Sequence, residues 1–206
     1  MRSLAAYLKV LYDKLVGVYY YGTGHQVERV FGSNPSSMHL SNMMRPLDQI
    51  EDNLFLGNAF DAADYQTLQD LSISTVVNAT KEIRNYFEDE DEMEYLKIDI
   101  LDNGEATIQP FFKDFLDFIN EHPDQRILIH CYMGSSRSAT LVLLYLVIKR
   151  GMSVDEGLDY LKQKRDVVNI NTVFLDELRD FVDKNQLLVV ADAHEKNDFS
   201  RVQVGS

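Results

Sequence analysis

The chain has 206 residues, 45% hydrophobic and 26% charged, which suits one ordinary globular domain with flanking segments. Its formal charge of −13 argues against a general nucleic-acid surface or a face for anionic membranes. The single cysteine, Cys131, excludes an internal disulfide and fits a reducing compartment, so the cytoplasm or the nucleus is the expected location.

Residues 1–21 carry Leu4, Leu8, Leu11, Leu15 and Val18 at helical spacing and predict an amphipathic N-terminal helix. Lys9, Asp13 and Lys14 interrupt the apolar run that a signal peptide or a membrane span would need. Such a helix has three uses: packing on its own domain, pairing two chains as a homodimer, or lying on a membrane. Residues 22–46, with Gly22-Thr23-Gly24 and Gly32-Ser33-Asn34-Pro35, are rich in loop formers and read as a linker. A folded unit is then expected over residues 47–188, with 189–206 a polar, disordered tail.

Within that unit a helix is expected from about Asp61 to Leu71 and a strand over 74–78. Residues 81–94 hold a cluster of acids and read as a solvated loop. From Tyr95 to Ile100 apolar Leu96, Ile98 and Ile100 alternate with polar Lys97 and Asp99, which is a strand pattern. An Asn103-Gly104 turn follows, and Thr107 is placed to cap a helix that has Pro110 in its first turn and Phe111, Phe112, Phe115, Phe118 and Ile119 on its apolar side. Ile127 to Ile129 predicts a short buried strand, and the run from Ser138 to Arg150 a helix apolar around nearly its whole circumference, stopping at Gly151. Ser153 and Glu156 form a capping box for a helix to about Arg165, and Asn171 begins the last helix, with Phe174, Leu178, Phe181 and Val182 on one face. Strands alternating with helices, without internal repeat or low-complexity tract, predict an α/β fold: a central, mostly parallel sheet flanked by helices.

The chemistry concentrates in His130-Cys131-Tyr132-Met133-Gly134-Ser135-Ser136-Arg137-Ser138. A loop between a buried strand and a buried helix turns backbone N–H groups toward whatever lies above the helix N-terminus, an anion site. Tyr132, Met133, Gly134, Ser135 and Ser136 supply that cradle, and Gly134 lets the backbone approach an oxyanion closely. Arg137 can grip two phosphate oxygens with its planar fork. Cys131 shares the cradle, and cysteines so placed titrate at about pH 3.5–7.5 instead of about 8.5. A thiolate beside a phosphate cradle implies phosphoryl transfer to sulfur. Expelling an alkoxide or phenoxide needs a general acid. Asp99, Asp102 and Glu105 all lie near a strand end; Asp99 falls on the polar face and reads as structural. Asp102 sits on the loop beyond the strand, where catalytic groups collect in open parallel sheets. The residues alone leave Asp102 evenly balanced between that role and an Asx turn.

His130-Cys131-x5-Arg137-Ser138 resembles the phosphate-binding loop of the cysteine-dependent protein tyrosine phosphatases, and with Met133-Gly134 and Ser136 it is most similar to their dual-specificity subfamily. The resemblance covers about residues 47 to 186; Ile50 to Asn58 matches the family's opening strand and turn. It implies a protein tyrosine phosphatase-like fold and a two-step reaction through a phosphocysteine, with neither cofactor nor metal. By position it makes Asp102 the general acid and base. Ser138 matches the family hydroxyl that bonds the cysteine sulfur, a role compatible with its also being a helix N-cap, and His130 matches the histidine that orients the loop and favours the thiolate. Asn171 and Phe174 match an Asn-x-x-Phe motif, with Ile170 where proline is common, and Asn171 reads as structural support. The N-terminal stretch is similar in kind to a helix that swaps between subunits in small viral relatives. The implied substrates are phosphotyrosine and phosphoserine or phosphothreonine in proteins. Phosphoinositides, RNA 5′-triphosphates or phosphoglucans are alternatives, disfavoured by a loop without Lys or Arg between Cys131 and Arg137. A phosphate-binding pseudoenzyme would be expected to have lost Cys131, Arg137 or Asp102, and all three are present.

Overall fold

The computed structural model describes residues 45–103 and 105–185. The expected N-terminal helix, the linker up to residue 44 and the tail lie outside the described residues.

Five strands, β1 (Asp48–Glu51), β2 (Leu54–Gly57), β3 (Ile73–Asn78), β4 (Glu94–Lys97) and β5 (Arg126–His130), form one sheet in the order β1-β2-β5-β3-β4. The β1–β2 pair is antiparallel; β2–β5, β5–β3 and β3–β4 are parallel. β5 is therefore central, and an apolar strand can sit there because both faces are covered. Alternation sends Ile127 and Ile129 into one hydrophobic cluster and Leu128 into another. The larger cluster includes Leu54, Leu56, Val77, Phe112, Phe115, Leu161 and Phe174; the smaller holds Phe55, Leu68, Ile73 and Val76.

Short helices α1 (Ala59–Ala62) and α2 (Tyr65–Asp70) follow β2, and α3 (Phe112–Glu121), α4 (Arg137–Arg150), α5 (Val154–Lys164) and α6 (residues 172–185) come later. In α4, Leu141, Val142, Leu143, Leu144 and Leu146 are all buried, each Leu contributing about 1.5–3 kcal/mol by area. Gly151 closes this helix in the left-handed region, φ 69°. The capping box of α5 forms between Ser153 and Glu156.

Three local expectations are corrected. The helix expected over 61–71 is two, because Asn58 caps α1 in a box with Asp61 while the Asp64 carboxylate accepts from Thr67 N at 3.2 Å and starts α2. Thr107 does not cap the following helix: Glu177, from α6, accepts from the N–H groups of Ile108 (2.7 Å) and Gln109 (3.0 Å), ahead of a 3₁₀ turn at Gln109–Phe111. The strand expected to run to Ile100 stops at Lys97. Ile98 still donates to Asn78 O, but Ile100 N turns back onto Ile98 O at 2.9 Å and lifts the chain off the sheet edge. That lift carries the following residues over the C-terminal end of β5.

Candidate active site

β5 ends at His130 and α4 begins at Arg137; the six residues between wrap over the helix N-terminus. The loop's carbonyls are tied outward. Tyr132 O accepts from Ala59 N at 3.2 Å, Ser135 O from Asn169 N at 2.9 Å, and Ser136 O from Thr140 N at 2.8 Å. Met133 O and Gly134 O accept from the Arg165 guanidinium, at 3.4 and 2.9 Å. With the carbonyls facing the outer wall, the N–H side of the loop faces inward, an anion-binding concavity. Gly134 makes the turn possible: its φ is +68°, and a Cβ there would collide with the Gly57 carbonyl and come within 2.9 Å of Arg165 Nη2.

Cys131 lies at the floor, 1% exposed. Its Sγ accepts from Ser138 Oγ at 3.1 Å and from Gly134 N at 3.2 Å. Burial pushes the thiol pKa up, but the Arg137 charge, the Ser138 hydroxyl and amide and the Gly134 amide together outweigh it and hold it below its ordinary value. Ser138 is not the cap of α4; Ser136 holds that position, so the Ser138 hydroxyl is committed to sulfur.

His130 is buried, with Nδ1 3.3 Å from Cys131 O. Burial, with smaller help from Lys97 and Arg137, pushes its pKa down to about 3. Burial thus disfavours the charged imidazolium. The sign of its linkage is definite. The unfolded chain takes up this proton near pH 6.5 and the folded chain only near 3, so the unfolded state binds more protons in between. Stability is fully present above about 6.5 and is lost as the pH falls from about 6.5 toward about 3. His130→Asn is expected to flatten the pH dependence of the urea-unfolding free energy in that window, by up to about 1.4 kcal/mol per pH unit.

Arg137 is oriented from one edge only. Its Nη1 donates to both Glu82 oxygens, at 2.7 and 2.9 Å, and to Ile100 O at 3.0 Å. Its Nε is buried without a hydrogen-bond partner among the described residues. A buried donor left unpaired costs about 1–3 kcal/mol, a penalty that an oxyanion in the cradle would relieve.

Asp102 stands over the same space. Ser136 Oγ donates to its Oδ1 at 3.2 Å, and its Oδ2 lies 3.8 Å from Arg137 Nε. Ser136 Oγ in turn accepts from Asn171 N at 3.2 Å, while Asn171 Nδ2 donates to Asn103 O at 3.4 Å. Asn171 also caps α6 by accepting from Val173 N at 2.9 Å. Of the three acids weighed from the sequence, Asp102 reaches the loop. Asp99 is 63% exposed beside Lys97, and exposed Glu105 donates its N–H to Asn103 Oδ1.

Two contributors were not visible in the sequence. Glu82 fell in a stretch read as a solvated acidic loop, yet it pins Arg137; its loop is held by Lys97 Nζ on the carbonyls of Thr80 and Ile83 and by Asn78 on Ile83 O at 2.9 Å. Arg165 entered the sequence reading only as the approximate end of a helix. Among the described residues no group of three or more His, Cys, Asp or Glu could hold a metal ion, and no helix is long and apolar enough to cross a membrane.

The site thus joins a buried thiol of lowered pKa, an outward-tied loop, and a guanidinium 3.8 Å from the Asp102 carboxylate. The family model described as dual specificity phosphatase, catalytic domain, matches residues 54–184, and the chain belongs to that family. Dual specificity protein phosphatase 9 of Homo sapiens is 35% identical over 135 residues, 65% of this chain and 35% of that protein. Dual specificity protein phosphatase 4 of Homo sapiens is 33% identical over 144 residues, 69% of this chain and 36% of that protein. The chain thus spans about a third of the length of these curated relatives. The crystal structure of DUSP15 superposes with a TM-score of 0.62 at 27% identity, covering 66% of this chain and 87% of that one.

Proposed function

We propose that the protein hydrolyses phosphotyrosine and phosphoserine or phosphothreonine esters in proteins. One observation carries the proposal: Cys131 Sγ with its Gly134 amide, Arg137 Nε without a hydrogen bond, and the Asp102 carboxylate 3.8 Å from that nitrogen belong to one site. The Cys131 thiolate attacks phosphorus and the bond to the ester oxygen breaks. The leaving oxygen takes a proton from Asp102, and the phosphoryl group stays on sulfur. Arg137 and the loop amides bind its oxygens throughout. Asp102, now a carboxylate, removes a proton from a water that attacks the phosphocysteine. The thiolate departs with the Ser138 hydroxyl on its sulfur, and inorganic phosphate is released. A cleft of about 400 Å³ next to Asp102, lined by Lys81, Asp99, Leu101, Glu105 and Phe111, offers room for residues flanking the phosphorylated one. We place the activity in the cytoplasm or nucleus on the strength of the lone thiol.

The test is phosphate release from three substrates: a peptide phosphorylated on Thr and Tyr, a soluble phosphoinositide and an RNA 5′-triphosphate. Cleavage of the peptide at both residues is the expected outcome. Preference for the lipid or the RNA would overturn the protein-substrate assignment, and no release from any of them would leave a phosphate-binding module.

A further inference from the structure

From the wall behind the loop, we infer that Arg165, held by Asp48, is a positioning residue for the oxyanion cradle; the inference rests on the reading of the 131–137 loop as the phosphate site. Arg165 is 0% exposed and heads the largest fully buried side chains of the described residues. It follows α5 and reaches back to the loop. Its Nε donates to Gly134 O at 2.9 Å and its Nη2 to Met133 O at 3.4 Å. Its Nη1 donates to Asp48 Oδ2 at 2.7 Å and Pro46 O at 3.1 Å. Asp48 is shared with Arg45, whose Nε lies 3.1 Å from the same oxygen. A buried guanidinium is expensive unless paired and fully bonded, and Asp48 with three carbonyls meets that condition.

What the guanidinium grips decides its role. In a trans peptide the carbonyl of one residue and the N–H of the next point in opposite directions. Turning Met133 C=O outward therefore turns Gly134 N–H inward, and this amide donates to Cys131 Sγ at 3.2 Å. Turning Gly134 C=O outward aims Ser135 N–H into the cradle in the same way. The carbonyls of Tyr132, Ser135 and Ser136 are held by backbone amides, which any sequence with this fold supplies. Those of Met133 and Gly134, at the apex, depend among the described residues on a side chain alone. A planar fork spans two neighbouring carbonyls while its far edge pairs with a carboxylate; an ammonium is a point charge that can do only part of this.

The test uses the full chain and readouts that need no turnover. Arg165→Lys, Arg165→Met and Asp48→Asn are compared with wild type for tungstate affinity by calorimetry and for the pH midpoint of Cys131 alkylation by iodoacetamide, with circular dichroism to verify folding. Both Arg165 variants are expected to bind tungstate on the order of 10²-fold more weakly, as mispositioned cradles do, and to alkylate with a midpoint at higher pH. Asp48→Asn should move both quantities in the same direction, by less. With an aryl phosphate, KM should rise as the anion affinity falls. A lower melting temperature alone, with wild-type tungstate affinity and alkylation midpoint in a folded Arg165 variant, would overturn the proposal by making the residue merely structural. If neither Arg165 variant folds, unchanged values in Asp48→Asn overturn it equally. A folded wild-type chain that binds no tungstate would instead overturn the phosphate-site reading, and this inference with it.

Discussion

Replacement of Cys131 by serine is expected to lower phosphate release by roughly 10⁴–10⁶-fold while leaving oxyanion affinity close to wild type. The cradle ionises a thiol because Arg137, Ser138 and Gly134 together overcome the burial penalty. A serine hydroxyl starts far higher in pKa, and the same groups cannot bring it to the alkoxide near neutral pH. Binding should survive because the loop carbonyls remain tied to Ala59, Arg165, Asn169 and Thr140, and Arg137 remains pinned by Glu82. Parallel measurement of phosphate release and tungstate binding separates the two effects. Undiminished turnover in Cys131→Ser would exclude a phosphocysteine intermediate.

Asp102→Ala is expected to lower kcat by about 10²–10⁴-fold for alkyl phosphates such as phosphoserine esters, and by much less for an activated aryl phosphate whose leaving group needs no proton. Asp102 is 32% exposed, open enough to meet a substrate oxygen, and linked to the loop through Ser136. Its loss should also remove the alkaline fall of kcat that deprotonation of a general acid produces. Asp99→Ala and Glu105→Ala serve as controls and are expected to change kcat little, because neither contacts the loop. The assignment fails if one of those variants carries the larger loss.

The parts of this protein legible in its sequence were those written in local periodicity. The apolar run of β5, the all-round apolar α4, the stop at Gly151 and the Ser153–Glu156 box each express a rule spanning a few residues, and each formed as expected. The Cys131-to-Arg137 spacing belongs with them, since one loop and one helix N-terminus set the distance between thiol and guanidinium. One divergence from expectation came from a partner distant in sequence. Glu177 displaced Thr107 as the cap of the turn before α3 from 69 residues away. Asp64, by contrast, was a local capping signal overlooked inside a run of helix formers.

Sequence alone singled out Cys131, Arg137, the loop between them and the α/β class, because these depend on residue chemistry and short-range geometry. Asp102 could be singled out from Asp99 and Glu105 only through family resemblance; in space it is the one that Ser136 reaches. The tertiary structure alone decided that Glu82, 55 residues before Arg137, pins one edge of its guanidinium, and that Arg165, 31 residues beyond Gly134, holds the cradle from behind. It also decided that His130 is buried, which disfavours its charged form. Acids and arginines look alike along a chain whether solvated or buried. Folding separates them, because a charge removed from water persists only where the fold has already placed its partner.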